Sequence, residues 1–459
     1  MSGERPEGLI QPARRIAYDV IAAVRESDAY ANLLLPMRID RAKLAPADAA
    51  FATELTYGTL RMRGYYDRVI ALAARRGIDE IDPPIVDVLR LGVHQLLATR
   101  VAQHAAVNES VALARTVGSR SATGFTNGVL RTITRSTPEE WRERVLAATA
   151  GDDERRAAEF SHPEWIVRAF AQALAAEGRR NELDELLDAD NRAPKVNMIA
   201  LPGVADAPQA AERNRYSPFG FVFGGGDPHS AVRSSAGALR VQDEGSQLAA
   251  IALAAARPIA QGERWLDLCA GPGGKAALLG ALARQGGARL VANELVPARA
   301  ELVRAAVRPV ADTVEVRQGD GRLFGEENAG VFDRVLLDAP CTGLGALRRR
   351  PEARWRKVPH DVAELTALQA RLLDSAVLAM KPGGVLAYVT CSPHLAESRL
   401  AVTDALKRHG AGLEPMQTQA ILGTALRHPL EKVGDPTQVQ LWPHRHGTDA
   451  MFIALLCRR

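Results

Sequence analysis

Cysteine is scarce in this chain: 459 residues hold four, Cys269, Cys341, Cys391 and Cys457, with no Cys-x-x-Cys pair. Thiols so few and so far apart make no disulfide framework in a chain of this size. No spacing groups them with histidine, so a zinc site, or any metal site, is not expected. What remains for them is packing or thiol chemistry. Long apolar runs are missing too. No stretch approaches the roughly 18 unbroken apolar residues of a membrane helix, and the start, MSGERPEGLI, carries no apolar core of signal-peptide length. The expectation is a cytoplasmic protein with no membrane partner. An excess of either charge is also lacking: 58 Lys and Arg oppose 54 Asp and Glu, leaving +4. Global charge therefore does not announce a nucleic-acid binder, and local clusters must carry that argument.

What is present is an ordinary globular composition, 47% hydrophobic and 24% charged. The length exceeds one ordinary domain and predicts two or three. Residues 1–150 read as an all-α bundle. Apolar residues fall at helical intervals in ARRIAYDVIAAVRE (Ile16, Val20, Ile21, Val24) and again through Phe51, Leu55, Leu60, Val69 and Leu72. Pro83 and Pro84 open a further helix, PPIVDVLRLGVHQLLATR, as proline does in a first turn. Residues 151–235 read as a small α+β linking region, with KVNMIALPG alternating like a strand.

From about residue 236 to 459 the pattern becomes strand–turn–helix. RWLDLCA, ARLVANE, TVEVRQGD, FDRVLLDAP and GVLAYVTCS are short, nearly continuous apolar strands with helical segments between them. Such alternation predicts a doubly wound, mostly parallel α/β sheet. Its end, QVQLWPHRHGTDAMFIALLCR, reads as a final pair of strands.

Ligands of such sheets bind beyond the carboxyl ends of the strands. The first strand is followed by Cys269, Ala270, Gly271, Pro272, Gly273, Gly274 and Lys275, a loop whose glycines permit a tight turn and a close approach. The helix after it presents free N–H groups to an anion. The second strand ends in Glu294, suited to a ribose diol, and the third in Asp320, suited to an adenine amino group. Each signal alone fits a plain turn or an exposed acid; the three together favour a nucleoside cofactor.

The fourth strand ends LDAPCTG, carrying Asp338 and Cys341, and the fifth ends TCSP, carrying Cys391. A lone buried cysteine is usually packing, but two at neighbouring strand ends favour thiol chemistry. Cys457 reads as packing. A thiolate beside a methyl donor suits carbon-5 of cytosine, a poor nucleophile until addition at carbon-6 makes the ring enamine-like. The thiol must lose its proton, from a pKa near 8.5, and the sequence singles out no group for this. Asp338 is a candidate for bonding the base's ring nitrogen or amino group.

LDLCAGPGGKA, VLLDAPCTG and YVTCS together resemble the RNA 5-methylcytosine methyltransferases of the Nop2/Sun family, from Gln242 to about Leu456. The resemblance implies a Rossmann-like fold using S-adenosylmethionine, with Cys391 as nucleophile and Cys341 assisting product release. It implies cofactor contacts by Cys269 through Lys275, Glu294, Asp320 and Asp338, with Arg299 as a further candidate. Two departures stand out: an acidic run after Thr-Cys-Ser is reduced to Glu397, and GTDAMF stands where Thr-Asp-Gly-Phe-Phe is usual. The N-terminal region, through ELTYGTLR and GFTNGVLR, is similar to the Nus-type antitermination RNA-binding fold. The pairing of the two resembles bacterial enzymes acting on small-subunit ribosomal RNA, and a monomer is expected. Transfer RNA or another RNA is the alternative substrate. A DNA methyltransferase would carry its nucleophile in the Pro-Cys segment and leave the second thiol unexplained, and a non-catalytic RNA binder would need neither thiol. Arg348, Arg349, Arg350, Arg354, Arg356 and Lys357, with Trp355 among them, read as an RNA contact beside the first thiol.

Overall fold

The computed structural model describes residues 10–27, 29–431 and 434–459. The extreme N-terminus, read above for a leader, lies largely outside them. The chain forms two compact units. The first comprises residues 1–168 with 187–192 and 347–356, the second residues 169–186, 193–346 and 357–459.

The first unit is helical. Pro12–Glu26, Pro46–Arg61, Arg63–Ala74, Pro83–Ala98, Gln103–Val117 and Arg120–Ile133 are its main helices. Ile16, Val20, Ile21, Val24, Leu55, Leu60 and Val69 all enter its core, as their spacing requires. Leu72, counted on the same stripe, faces solvent instead. Pro83 and Pro84 sit in the first turn of their helix, where their missing N–H groups would have had no helical partner.

The second unit holds two sheets. β1 (Asn197–Ala200) pairs antiparallel with β2 (Gly220–Val222) and β3 (Leu239–Val241). The large sheet contains β4 (Arg264–Asp267), β5 (Arg289–Glu294), β6 (Val314–Gln318), β7 (Phe332–Asp338), β8 (Met380–Thr390), β9 (Leu413–Pro415), β10 (Gln438–Gln440) and β11 (Phe452–Arg458). Its order is β10-β11-β8-β7-β4-β5-β6, with β9 beside β11. β4 to β8 are mutually parallel, and β9, β10 and β11 pair antiparallel.

β4, β5, β7 and β8 are covered on both faces, which is why they read as apolar runs; β6, at the end of the sheet, reads VEVRQ and leaves Glu315 and Gln318 exposed. Alternate residues go to opposite cores: Trp265, Leu290, Leu336 and Val389 to one, and Leu266, Val291, Leu337 and Tyr388 to the other. The chain runs outward from β4 through β5 and β6, then returns to β7 on β4's other side. That reversal opens a crevice at the carboxyl ends of β4 and β7.

Candidate active site

The loop after β4 turns within a few residues. Ala270 N donates to Asn293 O at 2.8 Å and Gly273 N to Ala270 O at 2.7 Å; the Gly271–Pro272 bond is cis. Gly273 has φ +105°, and a Cβ there would stand 2.4 Å from the Ala306 Cβ. A side chain at Gly271 would meet Glu294 Oε2 at 2.2 Å. Helix Gly274–Gln285 starts without a side-chain cap, leaving first-turn N–H groups for a ligand.

Glu294 is buried at the end of β5. Its Oε2 accepts from Gly271 N and its Oε1 from Val296 N, both at 3.0 Å. One lone-pair direction per oxygen remains. Arg299 donates to Gly271 O at 2.7 Å and lies 3.6 Å from Glu294, so it braces the loop. Asp320 caps helix Gly321–Glu327 through Arg322 N at 2.9 Å, and the bound Arg322 guanidinium holds its carboxyl below the usual range.

Lys275 reaches across to Asp338 Oδ2 at 2.7 Å. Burial alone would depress its ammonium, but Asp338, then Cys391 and Asp267, outweigh that and hold it above the ordinary lysine range. Asp267, at the end of β4, is pushed up to about 8 by burial, with Asp338 adding to the shift. It is therefore a neutral acid at pH 7, a property no sequence pattern signalled.

Cys341 Sγ and Cys391 Sγ lie 3.4 Å apart, both half-buried. The hydrogen bond to Cys391 and burial push the Cys341 thiol well up. Cys269 packs against a core cluster, and burial with the nearby Asp267 raises its thiol too. Cys457 lies on β11, away from these strand ends.

The structure thus gathers the glycine loop, Lys275, Glu294, Asp338, Cys341 and Cys391 at the parallel strand ends. The basic segment is placed differently from the expectation. Leu347–Arg356 belongs to the helical unit. Arg354 is fully buried and donates to Arg61 O, Ser161 O, Asn191 Oδ1 and Asp190 O at 2.8–3.1 Å. Trp355 packs over Gly64 and under Arg63. These groups hold a fold together rather than face RNA. Sequence reading missed Gln369, whose Nε2 donates to Pro340 O at 2.8 Å. It registered Glu397 only as the remnant of an acidic run. Gly345 also went unnoticed; it donates to Cys391 O and accepts from Ala450 N, both at 2.8 Å.

The open α/β sheet with this crevice has a Rossmann-like methyltransferase fold, and the family match and curated relatives make the chain an S-adenosylmethionine-dependent RNA methyltransferase of the cytosine-5 type. The chain belongs to the 16S rRNA methyltransferase RsmB/F family, whose model matches residues 254–457, while residues 11–135 match the NusB family. A Mycobacterium tuberculosis protein named only as a methyltransferase is 49% identical over 98% of this chain and 97% of its own. The ribosomal RNA small subunit methyltransferase B of Salmonella paratyphi C is 31% identical, over 85% of this chain and 89% of its own. A solved methyltransferase homolog from Pyrococcus horikoshii shares the fold at 21% identity, TM-score 0.53, covering 68% of this chain and all of that one.

Proposed function

We propose that the chain methylates carbon-5 of a cytosine in small-subunit ribosomal RNA through a covalent bond from Cys391 to carbon-6. The observation that carries this is the thiol pair 3.4 Å apart at the ends of adjacent strands, beside the Lys275–Asp338 ion pair. The ribosomal substrate is supported by the name of the Salmonella relative and the matching NusB region.

The residues fit the methyl donor. Glu294, buried and aligned by two backbone donors, would hold the ribose diol. The bare start of helix Gly274–Gln285 would receive the donor's carboxylate. Asp320 would meet the adenine side, with Arg322 already on its carboxylate. S-adenosylmethionine, when bound, supplies an electrophilic methyl group.

The chain's own groups do the rest. The Lys275 ammonium favours the ionised form of Cys391, whose charge it feels. The Cys391 sulfur adds to carbon-6, and the ring electrons move toward carbon-5. Asp338, as a carboxylate, accepts a hydrogen bond from the exocyclic amino group. Cys341 stays a neutral thiol while Cys391 is charged, because that charge opposes its ionisation. Once Cys391 is bonded to carbon, its share of this opposition ends, leaving burial and the Glu397 and Asp338 charges, and Cys341 passes its own proton to solvent. Its thiolate then takes the carbon-5 proton, and Cys391 leaves as thiolate. The target base must stand outside a helix stack for either thiol to reach it.

The two thiols should fail differently. Cys391→Ala should abolish methylation and release RNA freely. Cys341→Ala should allow addition and transfer but stall elimination, leaving methylated RNA attached to protein as a slow band on a denaturing gel. A band from Cys391→Ala alone would make Cys341 the nucleophile, as expected of a DNA-type enzyme. Methyl mapping on 16S RNA and transfer RNA incubated with wild type would separate the two RNA substrates.

A further inference from the structure

Behind the thiol pair lies a carboxylate that the reaction above does not use. Glu397 is fully buried. Its Oε1 accepts from Thr342 N at 2.8 Å and Gln369 Nε2 at 3.4 Å. Its Oε2 accepts from Thr342 Oγ1 at 2.5 Å and Ser392 Oγ at 2.6 Å. All four donors are neutral. Four hydrogen bonds fill the acceptor sites of its two oxygens and fix the carboxyl group in one orientation.

The donors' positions matter most. Thr342 directly follows Cys341, and Ser392 directly follows Cys391. Gln369 also donates to Pro340 O, on the other side of Cys341. The backbone carbonyl of Glu397 is fixed in turn by the Tyr388 hydroxyl at 2.8 Å. One carboxylate therefore grips the two thiol-bearing loops at the residues next to the sulfurs.

We infer that Glu397 is a positioning residue that sets the spacing of Cys341 and Cys391. It touches neither the reacting base nor the methyl donor. It acts by holding two loops in register, so that one sulfur can add to the base while the other reaches the carbon-5 proton. Glutamine has the same shape but only one acceptor oxygen, and its amide must donate where a carboxylate accepts. Glu397→Gln therefore turns one grip into a mismatch. The inference rests on the reading that both thiols serve one reaction.

The sulfurs themselves provide the ruler. The full-length protein would be treated with diamide, which oxidises two thiols to a disulfide while its azo group is reduced to a hydrazine. The Cys341–Cys391 peptide would be followed by mass spectrometry. In wild type the pair should link rapidly. In Glu397→Gln, linking should slow by about tenfold or more, and kcat should fall by roughly a hundredfold, as a misplacement near 1 Å does. KM for S-adenosylmethionine should stay within about twofold, since the glycine loop and Glu294 are untouched. Ser392→Ala, which removes one donor from the same carboxylate, should move all three readouts in the same directions and carries the test if Glu397→Gln does not fold. Wild-type linking and turnover in both variants would overturn the inference. So would a parallel loss of linking, cofactor binding and thermal stability, which would make Glu397 a scaffold only. If the variants lose linking while wild type methylates no RNA, the spacing role stands and the proposed function fails.

Discussion

At the scale of single residues, the site shows how burial sorts like groups into different states. Asp338 and Asp267 end neighbouring parallel strands. Asp338 has Lys275 at 2.7 Å. Asp267 is fully enclosed, and the Asp338 charge opposes its ionisation. A carboxyl pushed up to about 8 binds a proton in the folded protein that the unfolded chain, near 3.8, has released by neutral pH. Its contribution to stability is therefore complete below about pH 4 and is lost as pH rises toward 8. An asparagine in its place would keep the shape without the titration. Asp267→Asn should flatten the decline in melting temperature between about pH 5 and 8, a difference of a few kcal/mol at the upper end. Thermal melts of both proteins across that range check it. Parallel curves would mean that Asp267 is ionised in the folded state.

At the scale of elements, close backbone approaches fix where the thiol loops lie. Gly345 is bonded to Cys391 O and Ala450 N, and a Cβ there would stand 1.9 Å from Ala450 O. Neither neighbour is a flexible side-chain end, so Gly345→Ala must separate the loops. We expect a loss of about 2–4 kcal/mol and near-abolition of methylation. Gly343→Ala meets open space and only the strain of φ +75°, about 1 kcal/mol, with most activity kept. Chemical denaturation and methyl incorporation on both variants test the contrast; equal effects would refute it. This scale also shows what was readable beforehand. β4, β5, β7 and β8 are largely apolar sequence bounded by glycine, proline or charge, and β6 alternates apolar and polar residues as VEVRQ; each was legible. β2, β3 and β9 are three residues each, too short for any period to appear. The acids and thiols that converge on the crevice were legible because a parallel sheet puts all its carboxyl ends on one edge. Glu397 was not, since its partners come from Thr342, Gln369 and Ser392 and no local pattern links them. Leu72 shows the limit of periodicity itself: the spacing places a residue on a stripe, and the neighbouring helices decide how wide the covered stripe is.

At the scale of the whole molecule, the chain does not segregate by sequence order. Residues 347–356, which follow the first thiol, fold within the helical unit, together with residues 187–192. The basic residues between positions 348 and 357 look alike in sequence, and a run of charge is as readable as a nucleic-acid face as it is as a solvated one. What tells them apart is the supply of acceptors. Arg354 sets its two terminal nitrogens against three backbone carbonyls and an amide oxygen, acceptors that the helical unit itself supplies. Burial lowers its pKa to about 10, still charged at neutral pH. Deleting residues 1–150 would strip this segment of its helices, so a truncation cannot isolate the role of the helical unit, whereas a point change can. Arg354→Met keeps most of the apolar stem and leaves the acceptors unpaired. It should cost about 3–5 kcal/mol, as removing one partner from a buried charged network does. S-adenosylmethionine affinity should be unchanged, because the glycine loop and Glu294 lie in the other unit. A residue paired with phosphate behaves in the opposite way: its removal leaves the melting temperature alone and lowers the salt dependence of RNA binding by about one unit of slope. Thermal melts, calorimetry with the cofactor and RNA titration at several salt concentrations distinguish the two. A variant that melts like wild type but binds RNA with a shallower salt slope would return Arg354 to the RNA interface.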